Sequence, residues 1–303
     1  MTKGSDNPLV FLSIAGSDPC GGAGIQADLK VASRLGLYGC SAITAITAQN
    51  SKKVTGIWGV LSRQLRTQLE AILSDFRPDA VKVGMLTDAK SVKIIAEFLE
   101  RYNLQNVVID PVLSPTLASG KTDEALAEAL ATLLFPMATL VTPNLPEADE
   151  FERISGRTFD SLCAAYLLKG GHGHEGDCVD TLYYRDSDSQ AIDDTEFFEK
   201  EAPLGHVSSS PFPTVQPHPY AVLDFNETRH AVPLFFEEYR HPKLQTAHTH
   251  GTGCVLSSAI ACNLAMGFDL TTAVGNGINF LMEALEKSAK VKLSAGDYGP
   301  CLI

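Results

Sequence analysis

The 303-residue chain lacks several things at once, and each absence removes a class of function. No apolar run approaches the roughly 18 residues that a membrane helix needs, so no membrane span is expected. The amino-terminal stretch MTKGSDNPLVFLSIAGSD has one lysine and an apolar patch too short for a secretion signal. Basic residues are few: 24 Lys and Arg stand against 36 Asp and Glu, for a net charge of −12. Such a chain has no electrostatic reason to bind nucleic acid or an anionic membrane surface. The seven cysteines, at 20, 40, 163, 178, 254, 262 and 301, form no CxxC pair and no disulfide-like spacing. A reducing cytoplasm is the expected compartment, and a structural zinc site is not expected. The two histidines of GGHGHEG (170–176) supply only half of a metal site. The glycine-rich GSDPCGGAGIQAD (16–28) is neither a dinucleotide fingerprint nor a P-loop ending in GKS or GKT.

What is present alternates. Short apolar runs at 8–16, 41–48, 79–85, 106–112, 138–144, 164–171 and 180–186 read as strands. Between them, 24–36, 63–76, 91–102, 122–135 and 146–156 read as helices. In 63–76, Leu65, Leu69, Ile72, Leu73 and Phe76 share one helix face. Thr122 or Asp123 can cap the fourth helix. The fifth has a proline at its start and a glycine after its end. Continuous apolar strands separated by helices predict an α/β fold: a mostly parallel sheet covered on both faces. Ligands bind such sheets at the carboxyl ends of the strands. The polar and glycine-rich motifs fall there: AGSDPCGGAG, AQNS, GM, DPV, TPNLPE and KGGH each follow an apolar run. The rhythm breaks at about 187–245, an acidic then proline- and serine-rich stretch. It reads as a long surface insertion in a single domain spanning 1–303, with 230–240 returning to the sheet as a strand.

One motif bears directly on chemistry. In HTHGTGC (248–254), Gly251 and Gly253 let successive N–H groups converge, and an apolar helix follows. The positive end of that helix would complete an anion hole suited to a phosphate. A thiol at such a terminus is expected to have a lowered pKa, so Cys254 could serve as base or nucleophile. The bland alternative is a tight turn with a small apolar residue. Asp18 and Asp28 are either substrate contacts or turn and capping residues. Asp110 and Glu147 either hold Mg²⁺ through water or cap helices. Lys169 either faces a phosphate or is solvated.

Together, SIAGSDPCGGAGIQADLK, AITAQN, VKVGML, VVIDPV, VTPNLPEA, LLKGGH and THGTGC occur in an order and spacing that resemble the hydroxymethylpyrimidine/phosphomethylpyrimidine kinases of the ribokinase-like superfamily. The resemblance covers about residues 8–186 and 247–290. It implies a doubly wound sheet and transfer of phosphate from ATP, with Mg²⁺, to 4-amino-5-hydroxymethyl-2-methylpyrimidine and then to its monophosphate, for thiamine biosynthesis. It also implies a homodimer. Carried over, Gln49 would hydrogen-bond the pyrimidine, and Gly16, Ala23, Met85 and Val112 would line its pocket, with Asp28 beside them. Lys169, Asp110, Glu147 and Asn144 would face ATP and Mg²⁺. Gly251, Thr252 and Gly253 would form the anion hole, and Cys254 the base. The rival reading on the same scaffold is a pyridoxal/pyridoxine kinase, against which the Gln49 amide argues: a pyridine offers it fewer partners.

Overall fold

The computed structural model describes residues 7–113, 122–172, 177–185, 218–220, 234–244, 249–291 and 301–303. Strand β1 (Val10–Ser17) is buried along nearly its whole length, as its largely apolar run requires. It runs parallel between β2 (Tyr38–Gln49) and β4 (Ala80–Val83). Strands β5 (Val107–Ile109), β6 (Leu140–Val141) and β7 (Ala165–His172) extend the parallel array. Antiparallel strands finish both sides. β3 (Val54–Gly59) pairs with β2, and β8 (Asp177–Arg185) pairs with β7. β10 (Leu234–Pro242) joins β8, and β9 (His218–Tyr220) joins β10. The sheet order is β3-β2-β1-β4-β5-β6-β7-β8-β10-β9.

Helices cover both faces. One core packs α2 (Ser62–Leu73), α3 (Ala89–Arg101), α4 (Glu124–Ala129) and α5 (Leu145–Ser155) against the sheet. The opposite core packs α1 (Gly24–Arg34), α6 (Thr252–Ala265) and α7 (Leu270–Ser288). Caps set the starts of several helices. Asp88 accepts from the Ser91 N–H at 2.8 Å, Asp123 from Leu126 at 3.1 Å, and Asp269 from Thr272 at 2.9 Å. Helix α5 closes on Gly156 in the left-handed conformation (φ 65°), as its flanking residues predicted. Helix α6 is mostly apolar and buried all round: every residue from Val255 to Leu264 is buried, Ser257, Ser258 and Asn263 included.

The structure departs from the sequence reading in places. The expected helix at 122–135 is α-helical only to Ala129, then a π-helical turn (Leu130–Leu134) and a 3₁₀ turn (Phe135–Met137). Pro136, which has no N–H to donate, stands where the run stops. Strand β3 and helix α7 were not read at all. The stretch 187–245 includes β9 and β10, both hydrogen-bonded into the sheet; its other residues, apart from 243–244, lie outside the described residues. So do His174 and most of GGHGHEG.

Candidate active site

The carboxyl ends of the parallel strands meet at the N-terminus of α6. Gly251 caps that helix with φ 84°, and a Cβ there would overlap the Gly22 carbonyl and stand 3.1 Å from the Ala23 Cα. Only glycine permits this approach of the α6 turn to the loop after β1. On the other side, a Cβ on Gly253 would lie 3.3 Å from Asp110 Oδ2 and 3.4 Å from Lys169 Nζ. The first N–H groups of α6 have no partner within the helix and carry its positive end. Thr252 donates its hydroxyl to the Thr249 carbonyl at 3.1 Å, which closes the turn.

Lys169 and Asp110 form an ion pair at 2.9 Å, with Asp110 2 % exposed. Burial raises the Asp110 pKa, but the Lys169 and Lys82 charges more than offset it, so the carboxylate stays ionised below its usual range. Thr142 also donates to Asp110 Oδ1, at 3.3 Å. Asn144 and Glu147 form a reciprocal capping box at 2.8 and 2.9 Å. Burial pushes the Glu147 carboxyl up to about 7, against the pull of Lys169. Among the described residues no three His, Cys, Asp or Glu side chains form a metal cage. Two carboxylates beside one lysine fit a Mg²⁺ ion that keeps its waters and leans on substrate phosphates.

The expected lowering of the Cys254 pKa is not found. Burial pushes the thiol up to about 11, although Lys82 pulls it down; Asp28 and Asp110 push it further up. Desolvation outweighs the Lys82 charge and the Gly24 backbone hydrogen bond, both of which favour the thiolate. Asp28 is a second correction. Its carboxylate is fully buried and takes Lys82 at 2.9 and 3.0 Å, Ser13 at 2.6 Å and Ser258 at 2.8 Å. It therefore has no surface to offer a substrate; it ties α1 to β1, β4 and α6. Lys82, its partner, was missed, although a lone lysine in the apolar run AVKV was the signal.

The remaining expected residues line the edge of the sheet. A Cβ on Gly16 would stand 2.5 Å from Met85 Cε, so the two are neighbours. Met85 and Val112 share a cavity of about 100 Å³ with Ile57, Thr87 and Leu126. Ala23 begins α1, and its N–H is held by Asp18 at 2.8 Å. Gln49 ends β2, and its side chain hydrogen-bonds Asp18.

The fold and this site define a ribokinase-like kinase of a small molecule. A solved ADP complex of Bacillus subtilis pyridoxal kinase shares the architecture with a TM-score of 0.72 and 27% identity, covering 98% of this chain and 97% of that one. Sequence narrows the class: the family model for phosphomethylpyrimidine kinase matches residues 18–205 and 233–300, and the chain belongs to that family. The Escherichia coli hydroxymethylpyrimidine/phosphomethylpyrimidine kinase is 32% identical over 94% of each chain. The Geobacter sulfurreducens thiamine biosynthesis bifunctional protein ThiED is 36% identical over 90% of this chain, which spans 48% of that longer protein.

Proposed function

We propose that the chain transfers phosphate from ATP to 4-amino-5-hydroxymethyl-2-methylpyrimidine and then to its monophosphate, in thiamine biosynthesis. The observation that carries this reading is the placement of the α6 turn. It touches the glycine loop after β1 on one side and the Asp110–Lys169 pair on the other, so acceptor and donor sides meet at one helix terminus. The names of the E. coli and G. sulfurreducens relatives support the choice of substrate.

In this reading Gln49 pairs with the amino and ring-nitrogen edge of the pyrimidine, beside Gly16, Ala23, Met85 and Val112. Lys169, Asn144 and the first N–H groups of α6 neutralise phosphate charge, which is most of what phosphoryl transfer asks of a protein. Asp110 and Glu147 would hold Mg²⁺ through water, and the ion would supply further charge neutralisation. Cys254 is assigned the proton of the substrate hydroxyl. Because its own thiol is protonated at rest, it accepts that proton only through its thiolate fraction.

An ADP-release assay with the pyrimidine alcohol, its monophosphate and pyridoxal tests the reading. A strong preference for pyridoxal in kcat/KM overturns it. The likeness to B. subtilis pyridoxal kinase favours that rival; the Gln49 amide opposes it, because a pyridine offers the amide fewer hydrogen-bond partners than an aminopyrimidine edge does. Residues 206–232, which the family model skips, are proposed as the insertion peculiar to this chain. The seven cysteines are free, which supports a cytoplasmic setting. Among the described residues no helix is long and apolar enough to cross a membrane. A homodimer is proposed on the exposed apolar edge of Ile46, Trp58 and Leu61, and light scattering would test it.

A further inference from the structure

Asp18 is a hub that the site description leaves without a role. It is 2 % exposed, yet among the described residues it pairs with no lysine or arginine. Its Oδ1 accepts the Cys20 N–H at 2.8 Å, and its Oδ2 accepts those of Gly22 at 3.1 Å and Ala23 at 2.8 Å. The Gln49 side chain hydrogen-bonds the same carboxylate. Its own N–H donates to Gln26 Oε1 at 2.8 Å, and Gln26 Nε2 donates to Ser17 at 2.7 Å. The remaining partner comes from the far end of the chain: His250 Nε2 lies 2.9 Å from Asp18 Oδ2. His250 immediately precedes Gly251, whose Cα is pressed against Gly22, and its own carbonyl accepts the Cys301 N–H at 3.3 Å.

We propose that Asp18 and His250 are a positioning pair that sets the substrate loop and the α6 turn in one register. With Nε2 as the donor, the imidazole holds a carboxylate that has already gathered three backbone N–H groups and the pyrimidine-reading amide. A shift of the α6 turn then moves Gly22, Ala23 and Gln49 with it. Neither residue touches the reacting atoms; the pair acts through Gln49 and through the anion hole. Neither Lys169 nor Asn144 is a hydrogen-bond partner of the pair, so its loss weighs more on the pyrimidine side than on the ATP side. Its effect on turnover rests on the kinase reading above, whereas its effect on loop order does not.

His250→Leu removes the donor, and His250→Gln keeps an N–H donor on a side chain of similar reach. In the full-length protein, amide hydrogen exchange in peptides covering 19–24 should quicken about tenfold or more in His250→Leu, the size of one hydrogen bond to an ionised group. Exchange in α7 should not change. KM for the pyrimidine alcohol should rise and kcat should fall, with KM for ATP rising much less, and His250→Gln should recover most of both. Wild-type exchange at 19–24 in folded His250→Leu overturns the pair, as does a KM for ATP that rises as much as that for the pyrimidine. If His250→Leu does not fold, Asp18→Asn takes its place, and wild-type exchange there overturns the pair equally. A protein that orders the loop through this pair but phosphorylates no pyrimidine sinks the function reading and leaves the pair standing.

Discussion

Cys254 offers the sharpest test of the chemistry, because its burial and its helix position pull in opposite directions. Burial pushes the thiol up to about 11, well above the usual cysteine range, and desolvation is the largest cause. Two pKa units correspond to about 3 kcal/mol in favour of the protonated form. At pH 7 the thiolate is then roughly one molecule in ten thousand, against a few per cent for a free cysteine of pKa about 8.5. That is a deficit of about 300-fold. A more basic thiolate is a better nucleophile, with a Brønsted slope of about 0.4–0.5, which returns roughly tenfold. Iodoacetamide should therefore modify Cys254 some 20- to 30-fold more slowly than a free thiol at pH 7, before any steric protection is counted. Site-resolved mass spectrometry measures this directly, with free glutathione in the same reaction as the reference. The rate should climb about tenfold per pH unit from 7 to 9, because the thiolate population does. If that thiolate accepts the substrate proton, kcat rises over the same range, and Cys254→Ala loses about 10²–10⁴ in rate while keeping pyrimidine binding. Alkylation at pH 7 as fast as a free thiol refutes the burial argument. A flat kcat from pH 7 to 9, or near-normal turnover in Cys254→Ala, refutes the proton role.

Gly251→Ala should cost at least about 2 kcal/mol in denaturant midpoint and most of the activity, since it combines a left-handed backbone with a clash on Gly22. Gly156→Ala, equally left-handed but with open space around it, should cost only about 1 kcal/mol; equal losses at the two sites would refute the close-approach argument. Lys82→Met alone should destabilise by about 3–5 kcal/mol because it strands buried Asp28, whereas Asp28→Leu with Lys82→Met should regain most of that, as read by chemical unfolding. Glu147, raised from 4.5 to about 7, takes up its proton in the folded state before the unfolded chain does. Stability should therefore increase as pH falls from about 7 to 4.5, by on the order of 3 kcal/mol. Glu147→Gln should flatten that part of a Tm-against-pH curve measured in EDTA, and an unchanged curve would count against the shift.

The parallel sheet was legible because β1, β4 and β5 are buried on both faces and so are written as largely apolar runs, broken only by Ser13 and Lys82. Edge strand β3 was not, because VTGIWG interrupts its apolar residues with two glycines and exposes Trp58 on its outer side. Helix α7 escaped for a similar reason: its first half is rich in Thr, Gly and Asn (Thr271, Thr272, Gly275, Asn276, Gly277 and Asn279), which are poor helix formers. The site divides along another line. Motifs that fix backbone shape were readable, since Gly251 and Gly253 can hardly serve another purpose beside an apolar helix. Residues whose role depends on what lies across the fold were not. Asp28 sits in a motif shared with the substrate loop, but α1 turns it inward, to where Ser258, 230 residues away, completes its shell. Lys82 looks like an anomaly in a strand until Asp28 is seen beside it. The thiol of Cys254 follows the same logic. Its distance from the start of α6 is a local fact, and it argues for a thiolate. Its desolvation comes from chain segments that the local sequence does not contain, and that argument prevails. The charge state of a residue in such a site is thus set by its most distant neighbours in sequence. Lys82 and Asp28 are therefore the positions at which substitution should retune Cys254 without touching the turn that holds it.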